Sequence, residues 1–272
     1  MHTKRITFIG GGNMAGALLA RLAEERQYDL RVSDPGEEPR EKLGKLGVTT
    51  FTDNEAAVDG ADCVIFAVKP QIMRSVCTAL ASAVAKHEPL LVSVAAGIGC
   101  EPMSRWFDGY RRIVRVMPNT PALLGAGATG LFGDSAVTPN DMDLVSNVFE
   151  SVGETAWVET EELIDVVTAV SGSGPAYFFY FLEAMEDAAV AQGLSRALAQ
   201  KLARQTALGA ALMAQNEEGP LMDVRRRVTS PGGTTAAAVD TLAEHKLRSI
   251  IEDAMKAART RALTLADEFG TD

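Results

Sequence analysis

Apolar runs and amphipathic stretches alternate along the first half of the chain. The runs Cys63–Val68 and Leu90–Val94 are apolar almost throughout, as is typical of parallel strands that are covered on both faces. Further β-rich runs lie at 6–9, 30–33, 113–117 and 129–132. Because strands that alternate with helices are joined by right-handed crossovers, the pattern predicts an α/β fold with a doubly wound parallel sheet.

From about residue 161 the pattern changes to helical spacing, and no convincing strand follows. Helices are predicted at 175–192, from a cap at Ser195 to about 215, at 221–228 and over two closing stretches. We therefore expect two domains, a sheet-containing domain over 1–160 and an all-α domain over 161–272.

The run Tyr177–Phe181 places five aromatic residues in succession within a predicted helix. Successive helical residues are about 100° apart, so a single buried stripe cannot accommodate all of them. We predict that this helix is buried all round and, because the second domain is small, that a partner subunit covers it. The alternative is a helix at the centre of its own bundle.

Composition excludes several classes of function. The formal net charge of -10 argues against nucleic acid as a partner, because the phosphate backbone attracts basic surfaces. The histidines are far apart and lack neighbours at ligand spacing, so no metal site is expected. The apolar runs are too short for a membrane span, and the N-terminus carries no leader pattern. The three scattered cysteines favour free thiols in a reducing compartment, which predicts a cytoplasmic protein.

A glycine-rich loop, Gly10-Gly11-Gly12-Asn13-Met14-Ala15, lies between the first predicted strand and the first predicted helix. In this context the glycines have separate roles. Gly10 permits a tight turn, Gly12 lets the backbone approach a pyrophosphate, and the small Ala15 allows close packing of helix on strand. The unpaired N–H groups of the helix start attract phosphates. The loop therefore predicts a dinucleotide site.

The second strand ends at Ser33-Asp34, where the adenosine ribose would lie. An acid there favours NAD over NADP, because it bonds the ribose 2′-hydroxyl and repels a 2′-phosphate. Asp34 also reads as a turn residue before Pro35. Ser33 and Asn54 could accommodate a phosphate, so the preference between the two cofactors stays open.

Two later segments combine glycines and hydroxyls at a predicted helix start, Ser171–Pro175 and Ser230–Thr235. Backbone N–H groups and hydroxyl donors there suit a carboxylate, although plain helix capping explains either segment alone. With a dinucleotide domain upstream, we expect the distal loop, Ser230–Thr235, to hold a small acid. A cofactor and a small acid together indicate hydride transfer.

Motifs along the whole chain, taken in order, resemble those of the pyrroline-5-carboxylate reductase family, which completes proline synthesis. They are Phe8–Ala15, Ala61–Gln71, Ser93–Gly97, Arg115–Pro121, Val170–Tyr177 and Val228–Thr235. The resemblance implies an N-terminal Rossmann domain, a C-terminal helical dimerisation domain, and a homodimer or a larger ring of dimers. It also implies NADPH as the cofactor, with NADH left open by Asp34, where many relatives offer a more phosphate-tolerant residue.

The resemblance also implies roles for individual residues. At the pyrophosphate it places Gly10, Gly12, Asn13 and Met14; at the adenosine ribose, Ser33 and Asn54; at the nicotinamide, Ala67, Val68, Lys69, Pro70, Ala95 and Ala96; and at the substrate carboxylate, Ser230, Gly233, Thr234 and Thr235.

A cyclic imine can arrive as the iminium, so its reduction needs placement of the reactants more than a strong acid. Thr235 is the candidate catalytic residue, either as a hydrogen-bond donor to the ring nitrogen or only as a carboxylate ligand or cap. Glu218 would balance the positive charge of the iminium; the alternative is that it is a solvated acidic residue in a turn.

A β-hydroxyacid dehydrogenase would need a lysine to stabilise its alkoxide, and no lysine occurs between Lys86 and Lys201. A catalytically silent dinucleotide sensor is the remaining alternative.

Overall fold

A computed structural model describes residues 3–270 of the chain. Its strands form one sheet in the order β3-β2-β1-β4-β5-β6-β7-β8. They are β1 (Arg5–Ile9), β2 (Asp29–Ser33), β3 (Thr49–Phe51), β4 (Cys63–Phe66), β5 (Leu90–Ser93), β6 (Ile113–Met117), β7 (Gly127–Gly133) and β8 (Gly153–Trp157). The reversal of strand order between β1 and β4 makes this a Rossmann-type, doubly wound sheet.

The helices of the sheet-containing part are α1 (Asn13–Glu25), α2 (Glu37–Gly44), α3 (Asn54–Val58), α4 (Pro70–His87), α5 (Cys100–Trp106), α6 (Pro139–Glu150) and α7 (Leu163–Val167). A 3-10 helix spans Thr120–Leu124, and a π-helix, Thr168–Gly172, continues α7. The later helices are α8 (Gly174–Ala191), α9 (Arg196–Gln215), α10 (Leu221–Arg227), α11 (Thr234–Glu244) and α12 (Leu247–Gly270).

Strand β4 shows why the central strands are continuously apolar. Cys63 and Ile65 belong to the core cluster that includes Leu18 of α1, whereas Val64 and Phe66 belong to a second cluster. Side chains alternate between the faces of a strand, so both faces of this sheet are covered by helices. The predicted central strands and the predicted fold class are confirmed.

The sheet departs from the prediction at its far edge. Strand β7 pairs antiparallel with β6, with Arg115 opposite Phe132, and β8 then pairs parallel with β7. The predicted parallel sheet extends from β3 to β6, and β7 adds one antiparallel pairing beyond it. Strands β3 and β8 were not predicted, because β3 has only three residues and β8 alternates half-buried with exposed positions, which weakens its apolar pattern.

Two compact units make up the chain. The first comprises residues 1–173 together with 257–272, and the second comprises 174–256. Helix α12 contributes its beginning to the second unit and its end to the first. The change from strands to helices follows β8, and the boundary at 160 between functional domains stays a prediction.

In the second unit, the helix borders follow their local signals. Ser195 caps α9 through a hydrogen bond that its hydroxyl accepts from the N–H of Leu198, and Gly193, with φ +105°, follows the end of α8. Both features match the predicted break between the two helices, because left-handed backbone favours glycine after a helix.

The aromatic run lies on α8, and the single chain leaves most of it uncovered. Phe178, Phe179 and Tyr180 are 71%, 66% and 75% exposed. The helix is therefore not the centre of its own bundle, and that alternative is wrong. The exposed apolar surface is large enough to mark an interaction surface.

Within residues 3–270, none of the helices combines the length and apolarity needed to cross a membrane. The same part of the chain contains no group of three or more His, Cys, Asp or Glu side chains arranged to hold a metal ion.

Candidate active site

The loop between β1 and α1 makes the turn that its glycines predict. The Gly10 N–H donates to the Ser33 carbonyl at 2.8 Å, and Gly10 has φ +98°. A Cβ at Gly10 would lie 2.8 Å from the Ala67 carbonyl oxygen. Only glycine therefore fits both the left-handed backbone and the close approach to the end of β4.

The start of α1 is open for an anion. Gly12 is its N-cap residue, without a side-chain cap, and a Cβ there would meet no atom of the described chain within 4 Å. Gly12 and Asn13 are exposed, whereas Ala15 is fully buried against the sheet. The free N–H groups and positive end of the helix suit a pyrophosphate.

Asp34 braces this loop, which sequence reasoning did not predict. Its carboxylate accepts from the Gly11 N–H and from the Gly36 N–H, both at 2.7 Å. Arg40 donates in turn to the carbonyls of Asp34 and Gly36 at 2.7 and 2.9 Å. The acid at the end of β2 thus links the glycine loop to the next loop, in addition to any contact with a ribose.

The two predicted ribose residues differ in their exposure. Ser33 is 1% exposed, and its hydroxyl has no hydrogen-bond partner in the part of the chain that the structure describes. Asn54 is half-buried at the start of α3, a helix capped by Asp53 through the N–H of Ala56 at 2.8 Å. Ser33 is the last residue of β2 and Asn54 follows β3, so both lie at the carboxyl ends of neighbouring strands, where ligands of such sheets bind.

The predicted nicotinamide residues follow β4 and β5 at the same edge of the sheet. The Ala67 N–H donates to the Ile9 carbonyl at 2.8 Å, and a Cβ at Gly10 would lie 3.0 Å from the Val68 Cγ1. Lys69 is exposed as the N-cap residue of α4, with Pro70 at its first position. After β5, Ala95 is buried and Ala96 half-buried. The fold thus brings the predicted cofactor residues of the first unit to one edge.

The distal loop of the second unit also ends in an uncapped helix. Gly233 is the N-cap residue of α11, and the described chain supplies no side-chain cap. A tight turn precedes it, because the Gly233 N–H donates to the Ser230 carbonyl at 3.0 Å and Gly232 has φ +69°. Ser230, Thr234 and Thr235 are exposed. The N–H groups at this helix start, without a side-chain cap, suit an anion.

Glu218 is exposed between α9 and α10, and its role stays a prediction. The neighbouring carboxylate makes the observed contact: Glu217 forms an ion pair with Arg227 at the end of α10. This pair lowers the pKa of Glu217 below its usual value, because the hydrogen bond from the guanidinium stabilises the carboxylate.

The first glycine-serine segment is not a loop at all. Ser171 and Gly172 lie in the π-helix, and the Ser171 hydroxyl donates to the Val167 carbonyl at 3.1 Å. Asn119 holds the segment from the sheet side, since its amide donates to the Ser171 carbonyl at 3.0 Å and accepts from the Ala128 N–H at 2.9 Å. The expectation of a loop here is wrong, because these polar groups are satisfied within the fold.

These features belong to a two-domain, dinucleotide-dependent oxidoreductase. The sequence-family model for pyrroline-5-carboxylate reductase dimerisation matches residues 161–265. A second family model, described as NADP oxidoreductase, coenzyme F420-dependent, matches residues 5–97. The chain is 46% identical to the pyrroline-5-carboxylate reductase of Pseudomonas aeruginosa, over 99% of this chain and 100% of that protein.

Solved structures agree with the sequence relatives. A pyrroline-5-carboxylate reductase from Coxiella burnetii superposes with a TM-score of 0.93 at 38% identity, covering 97% of this chain and 99% of that one. The Plasmodium falciparum pyrroline carboxylate reductase, solved with NADP bound, superposes with a TM-score of 0.84 at 28% identity, covering 98% and 99%. The chain belongs to the pyrroline-5-carboxylate reductase family. The predicted family and its oxidoreductase class with NAD(P)H as cofactor are confirmed, and the dimerisation domain supports an oligomer.

Proposed function

We propose that this protein reduces 1-pyrroline-5-carboxylate to L-proline by transferring hydride from NADPH, with NADH as the second donor. The match to reductases of this name along the full chain carries the assignment of the reaction. The two uncapped helix starts support it chemically, since one suits a pyrophosphate and the other a small carboxylate. Reduction of an iminium forms no alkoxide, so the lysine that a β-hydroxyacid dehydrogenase needs is not required.

For the cofactor, we assign the pyrophosphate to the start of α1 and the reactive ring to the loops after β4 and β5. The assigned residues are Gly10, Gly12, Asn13 and Met14 for the pyrophosphate, Ser33 and Asn54 for the ribose, and Ala67, Val68, Lys69, Pro70, Ala95 and Ala96 for the nicotinamide. The open space at Gly12 and the common edge of the parallel strands support these roles. When bound, the nicotinamide supplies the hydride.

For the substrate, we assign the carboxylate to Ser230, Gly233, Thr234 and Thr235. A protonated imine already carries the positive charge that makes its carbon electrophilic. The protein therefore has only to bind the imine and orient its carbon towards the nicotinamide. We assign to Thr235 a hydrogen bond to the ring nitrogen and to Glu218 the balance of positive charge. The exposed Thr235 hydroxyl at the start of α11 supports its role.

For the assembly, we propose a homodimer through the exposed aromatic face of α8 and a ring of such dimers as the larger form. Acidic composition supports a surface that avoids nucleic acid. The three cysteines are free and buried, which supports a cytoplasmic location.

Initial rates with 1-pyrroline-5-carboxylate, measured with NADPH and with NADH, test the reaction directly. We expect turnover with both and a higher kcat/KM with NADPH. Nucleotide binding without turnover would instead support the catalytically silent sensor.

A pair of variants tests the substrate seat. Thr235→Ala removes the hydroxyl, and we expect kcat/KM for the imine to fall roughly 10- to 150-fold, since a hydrogen bond to a charged group contributes about 1.5–3 kcal/mol. Thr235→Ser keeps the hydroxyl and should retain most activity. Both variants should bind NADPH as the parent does. Equal activity of all three proteins would exclude Thr235 from the site.

A further inference from the structure

The turn that follows β5 has a backbone that only glycine tolerates well. The Ile98 N–H donates to the Ala95 carbonyl at 3.4 Å, and Gly97 between them has φ +77°. This is the third position of a type II turn, which requires a positive φ. Ala95, Gly97 and Ile98 are all buried, so the conformation of this turn depends on the residues that pack against it.

The end of α12 is what packs against Gly97. A Cβ at Gly97 would lie 3.0 Å from the Leu265 Cβ, 3.1 Å from the Leu265 carbonyl carbon and 3.3 Å from the Ala266 nitrogen. The turn therefore rests on the backbone of the helix as well as on a side chain. Leu265 and Gly97 belong to the same compact unit, although they are separated by most of the chain.

Two further contacts fix this end of α12. Arg105 of α5 donates to the Gly270 carbonyl at 2.9 Å, and Phe269 packs against the core cluster that contains Ile98. A side chain at Gly270 would approach Pro102 to 3.0 Å. These contacts anchor the last turn of the helix beyond Leu265, whereas Leu265 and Ala266 are the residues of the helix that lie against Gly97 itself.

We propose that Leu265 is a positioning residue for hydride transfer, acting through Gly97 on the turn that faces the nicotinamide. The inference rests on the proposed function, in which Ala95 and Ala96 line the reactive ring. A reaction that depends on placement is sensitive to small shifts: a displacement of about 1 Å can cost roughly 100-fold in rate. The adenosine half of the cofactor, bound by other loops, does not depend on this contact.

Leu265→Ala tests the proposal by removing the side chain beyond the Cβ that lies nearest to Gly97, which leaves the helix less firmly packed beside the turn. We expect kcat to fall roughly tenfold, by the same dependence of rate on placement, while the dissociation constant for NADPH changes less than about twofold. We also expect the primary isotope effect on kcat/KM, measured with NADPH deuterated at the transferred position, to increase, because hydride transfer becomes more rate-limiting. Leu265→Met refills the space and should restore most of kcat.

Phe269→Ala is the matched control, because it removes apolar packing from the same helix end without touching Gly97. We expect it to lower the thermal midpoint about as much as Leu265→Ala does, with kcat and the isotope effect close to the parent. Equal kinetic losses in the two alanine variants, or an unchanged isotope effect in Leu265→Ala, would overturn the positioning role.

Leu265→Val is a milder change for use if the alanine variant does not fold. It should shift kcat and the isotope effect in the same direction by a smaller amount, and parent-like kinetics would overturn the proposal. Failure of the parent protein to reduce the imine would instead contradict the proposed function, so the two failures are distinguishable.

Discussion

Arg115 and Asp165 form an ion pair inside the first unit, with 2.7 Å between the Arg115 Nη2 and the Asp165 Oδ1. Their side chains are only 8% and 6% exposed. Glu161 lies 3.4 Å from the same guanidinium and also accepts from the Cys100 N–H at 2.7 Å. These contacts tie β6, α7 and the start of α5 together.

Breaking this pair should destabilise the fold more than replacing it. Asp165→Leu leaves a buried guanidinium without its principal partner, and we expect the free energy of unfolding in urea to fall by about 3–5 kcal/mol. The double variant with Arg115→Met removes both charges and should recover part of that loss. Additive losses in the two single variants and the double variant would contradict the coupling.

Acid stability should depend on Asp141, which accepts two hydrogen bonds from Arg112, at 3.0 and 2.7 Å, and caps α6 together with Thr138. Burial raises the pKa of this carboxyl, but the hydrogen bonds from Arg112 and Thr138 outweigh it, and the net pKa is below the usual value. Because the folded pKa is lowered, the stabilisation is complete above about pH 4 and is lost as the pH falls through the folded pKa.

Asp141→Asn should therefore lower stability at neutral pH and flatten the acid side of the stability curve, as measured by urea unfolding between pH 7 and pH 3. Asp143→Asn, on the exposed side of the same helix, serves as the control and should follow the parent curve. If the free energy of unfolding of Asp141→Asn falls with acidification as steeply as that of the parent, other groups cause the acid sensitivity.

Substitutions of two glycines near the start of α1, Gly10 and Gly16, should differ in their effect on dinucleotide binding. Gly10→Ala introduces a Cβ 2.8 Å from the Ala67 oxygen at a residue with φ +98°, and a strain of about 1–3 kcal/mol should weaken NADPH binding roughly tenfold or more. At Gly16 a Cβ would meet nothing within 4 Å in the described chain, so Gly16→Ala should bind normally. Fluorescence titration measures both, and normal binding by Gly10→Ala would exclude the turn from the site.

Association of subunits should depend on the aromatic face of α8. Phe179 and Tyr180 are 66% and 75% exposed in the single chain, so we expect Phe179→Glu with Tyr180→Arg to shift the protein towards monomer in sedimentation at micromolar concentration. Gln192→Glu, which adds a charge just beyond the same helix, should leave the dimer intact. A stable dimer in the aromatic-face variant would place the interface on other helices.

Several parts of the molecule follow from local signals in the sequence. Gly10 predicts the cofactor loop because its left-handed backbone favours glycine, and Gly12 because it leaves the start of α1 open to a ligand. The continuous apolar runs of β4 and β5 predict strands that are covered on both faces. Ser195 and Gly193 mark helix borders through capping that involves near neighbours only. The motifs along the whole chain were sufficient to predict the family and its reaction.

Other features depend on residues that are distant in sequence, and tertiary structure alone decided them. The antiparallel direction of β7, the bracing of Gly11 by Asp34, the burial of Arg115 against Asp165 and the seating of Leu265 on Gly97 all join separate segments. A local pattern records which residues avoid water and which backbone angles they accept. It does not record which distant group fills the space or satisfies the charge, because that is settled only when the whole chain packs.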